Sequence, residues 1–105
     1  MLQNFRTYQM ALVFHRACVA QAGVPRYLRD QLNRASSSVA LNLAEGSAKP
    51  SARDQARFYS IAMGSLRESQ AAIELIAAEA DELRAMGDRL GGSLHRLIAA
   101  TLSRA

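Results

Sequence analysis

The sequence predicts an all-α fold, an antiparallel up-and-down four-helix bundle formed as a single domain over residues 1–105. Three observations lead there. Apolar residues recur at three- and four-residue spacing along the whole chain, and no long window alternates with the period of two that marks a half-buried strand. Gly23 to Pro25 and Gly46 to Pro50 interrupt that pattern with helix-breaking residues. Half of the residues are hydrophobic, yet only 6% are aromatic and there is no Trp, so the core is built largely from aliphatic and small side chains.

The first helix starts near Asn4, a residue type suited to an N-cap, and carries Phe5, Tyr8, Leu12, His15, Val19 and Ala22 on its core stripe before Gly23 stops it. Pro25 suits the first position of the second helix, whose stripe is Leu28, Leu32, Ala35, Val39 and Leu43, with Gly46 as the C-terminal stop. Ser51 and Asp54 have the spacing of a capping box at the start of the third helix. Phe58, Ala62, Ser65, Leu66, Ser69, Ile73 and Ile76 make its stripe. The next boundary has two solutions, because residues 77–83 contain neither Gly nor Pro: a turn near Glu79–Asp81, or a third helix that continues to Gly87 or Gly91–Gly92. The turn is favoured, since one rod from Ser51 to Ala105 would leave nothing to pack against. Leu83, Met86, Leu90, Leu94, Leu97, Ile98 and Leu102 then form the fourth stripe.

The segment RASSSVALNLAEG places three serines and an asparagine inside the second helix. At about 100° per residue, Asn42 falls at the edge of the apolar stripe and Ser36 near the other edge, while Ser37 and Ser38 point away. Small side chains let helix axes approach, and a half-buried Asn that bonds across helices fixes their alignment. A nucleophilic Ser would need a base within reach. Only His15 and His95 are present, and neither lies in a nucleophile motif.

NFRTYQMALVF, LRDQLNRASSSVALNLAEGSAK and FYSIAMGSLRES together resemble the bacterial four-helix-bundle proteins encoded in intervening sequences of large-subunit ribosomal RNA genes. The resemblance covers residues 4–76 and rests on R-A-S-x-S-V-x-x-N-L-A-E-G followed by F-x-x-I-A-x-G-S-L-x-E. The last thirty residues share only the helical pattern. That family is similar in fold to the accessory variability protein of diversity-generating retroelements, a five-fold ring of bundles that binds nucleic acid and assists a reverse transcriptase. The resemblance thus implies a homo-oligomeric, pentameric ring and an accessory role beside a nucleic-acid enzyme. It places Asn42, Glu45 and Gly46 in one motif and Gly64, Ser65 and Glu68 in the other, as structural positions.

Thirteen Lys and Arg, twelve of them Arg, face nine Asp and Glu, for a net charge of +4. The excess lies in residues 1–70, which points to a polyanionic partner. Arg53, Arg57 and Arg67 fall within about 80° of one another, opposite the core stripe of the third helix, in a row about 21 Å long. Gly64 and Ser60 leave that face open. Arg26 and Arg29, beside Asn33, make a shorter row on the second helix. Guanidinium groups so spaced suit RNA or DNA phosphates, and no aromatic residue interleaves with them to stack on bases. The competing reading is an ordinary solvated face.

Met10, Phe14 and Ala17, with Val13 beside them, lie nearly opposite the Tyr8–Leu12–His15 stripe, and Tyr59 and Met63 flank the third stripe, so Met10, Phe14, Ala17, Tyr59 and Met63 are expected to form an oligomer interface. A wide core stripe on a bent helix would account for them otherwise. No Glu is followed by His at the third position beyond it, as a di-iron bundle would require. No Gly-rich phosphate loop occurs, and Cys18 is alone, so neither metal nor cofactor is expected. The sequence shows no signal peptide and no long apolar run, which predicts a cytoplasmic protein. The expected function is a non-enzymatic homo-oligomeric adaptor that binds nucleic acid. The alternative is a structural or protein-interaction oligomer with no such binding.

Overall fold

A computed structural model describes Leu2 and residues 5–105 and shows four helices, α1 (Arg6–Ala20), α2 (Arg26–Ser47), α3 (Ala52–Glu74) and α4 (Asp81–Leu102), with no strand among the described residues. Successive helices run antiparallel around a closed square in which α1 packs on α2 and α4, and α3 packs on α2 and α4. The bundle measures 42 × 22 × 21 Å.

Local chemistry explains most of the boundaries. Ser51 caps α3, its Oγ accepting from the Asp54 amide at 3.1 Å, with the Asp54 carboxylate in the first turn. Pro25 sits at the N-cap of α2, one position ahead of its expected place, and α2 runs through Gly46 to Ser47. The chain leaves α1 through Gly23, whose φ of 75° lies in the left-handed region and whose missing Cβ leaves room for Ala78. Residues 75–80 separate α3 from α4, so the third helix does end before Gly87, and α4 continues unbroken through Gly91 and Gly92. The Asn4 cap lies outside the described residues.

The core joins Phe14, Leu32, Val39, Leu43, Leu66, Ile73, Leu90 and Leu94, each almost fully enclosed. Three stripes differ from the expected ones. On α1 the buried residues are Thr7, Ala11, Phe14 and Cys18, roughly a quarter turn from Tyr8–Leu12–His15, while Val19 is 48% exposed. Three of these four side chains are small, so apolar size alone does not reveal the inner line of α1. On α3, Tyr59 is buried and Phe58 half-buried, the reverse of the expected pair. Gly46 is the cause: a Cβ there would stand 2.7 Å from Tyr59 Cε1, so the glycine makes the space that the Tyr59 ring occupies. On α4, Thr101 turns inward and Leu102 outward.

Each of the four helix seams carries one hydrogen bond between two side chains. His15 Nδ1 and Ser36 Oγ are 2.8 Å apart across α1–α2, and Ser38 Oγ and Ser65 Oγ 2.8 Å across α2–α3. Thr7 Oγ1 and Ser93 Oγ meet at 2.7 Å across α1–α4, and Gln70 Nε2 donates to Asp88 Oδ1 at 3.3 Å across α3–α4. Ser38 therefore faces a neighbouring helix rather than solvent. Asn42 does not cross: its Nδ2 donates to the Ser38 carbonyl at 2.9 Å and to Ser38 Oγ at 3.0 Å, steadying the serine that does.

Candidate nucleic-acid interface

The basic face is built on the outer side of α3. Arg53, Arg57 and Arg67 are exposed there, and Gly64 between them has open space where a side chain would be. The α2–α3 turn extends the face. Lys49 Nζ lies 4.9 Å from the centroid of the Phe58 ring and the Arg57 guanidinium 4.5 Å from it, so one half-buried ring gathers two cations at the start of α3. Each cation also touches a carboxylate: Lys49 pairs with Glu45 at 3.0 Å, and Arg57 Nε donates to Asp54 Oδ1 at 2.9 Å. Ser51, Arg53, Asp54 and Arg57 outline an open hollow of about 350 Å³ at this corner. Further along, Arg67 donates to Gln70 Oε1 at 2.7 Å and leans towards Gly91 of α4.

Sequence reasoning missed Lys49 and Phe58 here. The signal was the i, i+4 pairing of Glu45 with Lys49 just ahead of the helix that carries Phe58 and Arg57. An aromatic ring does lie among the basic residues, contrary to expectation, but the two cations beside it leave it poorly placed to stack on bases.

Arg29 does not join this face. Its guanidinium grips the end of α1, donating to the carbonyls of Cys18 at 2.7 Å, Val19 at 3.2 Å and Gln21 at 2.5 Å, and to Asn33 Oδ1 at 3.3 Å. It fills acceptors that any helix C-terminus leaves open. Arg26 is exposed, but at the end of the bundle remote from Arg53, because α2 and α3 run antiparallel.

Two residues of the expected oligomer face are corrected. Phe14 is 1% exposed and Tyr59 4%, both within one chain. Met10, Ala17 and Met63 are partly buried against the same core. A helix packed on two neighbours buries a wide arc, so Phe14 fits beside Gly87 of α4 while His15 faces α2. Val13, expected beside that face, is 54% exposed, and the other large apolar side chains left in solvent include Tyr27 at 75%, Leu41 at 68% and Ile61 at 43%.

The buried hydroxyls of Ser36 and Ser69 and the thiol have structural employment. Ser36 donates to the Asn33 carbonyl and Ser69 to the Ser65 carbonyl, both within their own helices. Burial pushes the Cys18 thiol up to about 12, against smaller opposing effects from a Ser36 hydrogen bond and the Arg29 charge, so it stays protonated and unreactive. Among the described residues no three His, Cys, Asp or Glu side chains gather as a metal site, and no helix is long and apolar enough to cross a membrane.

The family model described as 23S rRNA-intervening sequence protein matches residues 3–86, which is α1 to α3 and the first turns of α4. No curated protein matches the chain.

Proposed function

For a chain that belongs to the 23S rRNA-intervening sequence protein family, we propose a non-enzymatic adaptor that binds the backbone of RNA or DNA along the outer face of α3. The observation that carries this reading is the line of exposed guanidiniums at Arg53, Arg57 and Arg67 beside the open surface at Gly64, which lets a phosphate backbone approach the helix closely. Arg57 is held over Phe58, so its charge is presented with little side-chain entropy left to lose. Recognition is of phosphate, without base readout, because the ring at the site is flanked by cations. Ser36, Ser38, Ser65, Ser69 and Cys18 are bonded or buried in ways that serve packing, which favours presentation of a bound strand over turnover. A partnership with a nucleic-acid enzyme such as a reverse transcriptase belongs to the same proposal.

The test is an anisotropy titration of a labelled random-sequence RNA and of a duplex DNA over a range of salt. Each phosphate neutralised on duplex adds about 0.9 to the slope of log affinity against log salt, so reversing Arg53, Arg57 and Arg67 to Glu should abolish binding and flatten that slope. The far-ultraviolet spectrum and melting temperature should hold, since all three side chains are exposed. Full-strength binding by the triple variant would overturn the reading.

Assembly into homo-oligomers is the second part of the proposal, and Leu41 and Ile61 support it. Both are large apolar residues exposed on α2 and α3 of a chain with a small core. Light scattering should give a mass that is a multiple of 11.4 kDa. Leu41→Glu with Ile61→Lys should reduce it to one chain without loss of helicity.

A further inference from the structure

A second concave surface lies away from α3. Between α1 and α4 a groove of about 350 Å³ is lined by Arg6, Gln9, Met10, Val13, Met86 and Arg89. Its apolar part is two methionines and a valine, and Val13 is 54% exposed although it sits in the middle of a helix. Its polar part is Gln9 and two arginines, with no carboxylate in the lining. Arg89 reaches out of the groove to the Glu82 carboxylate at 3.5 Å, a loose pair whose members are 59% and 82% exposed. Such a pair contributes little and exchanges readily for a better one.

We propose that this groove docks an amphipathic helix of another protein, one with an apolar stripe flanked by Asp or Glu. Charge complementarity selects that occupant. Apolar anchors on the incoming helix would enter between Met10, Val13 and Met86, whose unbranched methionine chains adapt to shape. Carboxylates beside the stripe would meet Arg6 and Arg89, with Arg89 giving up Glu82. A nucleic-acid strand matches the charge but gains nothing from a floor of methionine and valine, and the lining has no ring to stack on. The groove uses none of the α3 residues assigned to nucleic acid, so the bundle would hold both ligands at once.

The test is a titration of the isotopically labelled protein, followed by amide chemical shifts. The probe is a synthetic helical peptide with leucines at i and i+4 and glutamates on both flanks. A saturable response confined to α1 and to α4 around Met86 and Arg89 is expected, and it should vanish when the peptide glutamates are replaced by lysines. Val13→Glu should eliminate the response while leaving the melting temperature unchanged, because Val13 is exposed. No response, a response elsewhere, or an equal response to the lysine peptide would overturn the proposal. So would movement of the same amides on raising protein concentration alone, which would make the groove a contact between copies, or on adding RNA.

Discussion

Gly46 and Gly64 look alike in sequence, each a glycine within a helical run, but their surroundings differ. A Cβ at Gly46 would strike Tyr59 at 2.7 Å and Phe58 Cβ at 3.0 Å, whereas nothing lies within 4 Å of one at Gly64. Gly46→Ala should therefore destabilise the bundle by about 1–3 kcal/mol through overpacking. Gly64→Ala should stabilise it by about 1 kcal/mol, the difference in helix propensity. Chemical denaturation of the two variants checks both signs. Cys18 carries a pH effect. Its folded value of about 12 lies above the 9.0 of an exposed thiol, so the unfolded chain releases this proton first. Stability is then fully present below about pH 9 and falls as pH rises towards about 12, by roughly 1.4 kcal/mol for each pH unit between the two values. Tyr59, also raised by burial against a smaller lowering by the Arg104 charge, adds in the same direction. Cys18→Ala should flatten the alkaline slope of the denaturation midpoint, leaving the Tyr59 part.

The seams between elements explain why serine is so frequent in this chain. Each neighbouring pair of helices shares one hydrogen bond between two side chains, so register is set by polar contacts as well as by apolar packing. A double-mutant cycle on Ser38→Ala and Ser65→Ala should show a coupling of about 1 kcal/mol. The same cycle on Asn42 and Ser65 should show less, because Asn42 acts through Ser38. Helix number, the Ser51 cap and the inward residues of α2 were all legible, since periodicity, breakers and capping chemistry are local. The rotation of α1 was not. Its buried line of Thr7, Ala11, Phe14 and Cys18 is no more apolar than the line of Tyr8, Leu12, His15 and Val19 beside it, and only the positions of α2 and α4 decide between them. The exchange of Phe58 for Tyr59 was hidden for the same reason, resting on the absence of a side chain one helix away. The arginine row was visible as spacing, but the diversion of Arg29 to the end of α1 was not, because it requires knowing where three carbonyls lie.

At the scale of the molecule, the corrected position of Phe14 changes what its substitution would do. A residue 1% exposed beside Gly87 belongs to the fold, so Phe14→Asp should unfold the chain, seen as loss of helicity rather than as a smaller assembled particle. The exposed faces are then distinct: guanidiniums along α3, aliphatic side chains on α2 and α3, and a groove between α1 and α4. The enclosure of Cys18 has a further consequence. It is the single thiol of the chain and 0% exposed, on the helix whose end Arg29 holds. A maleimide in solution would react only while α1 is swung away from α2, so the labelling rate is a clock for that excursion. Arg29→Met, which releases the three carbonyls but keeps the aliphatic stem, should make the clock run severalfold faster at a temperature where the equilibrium helicity is unchanged.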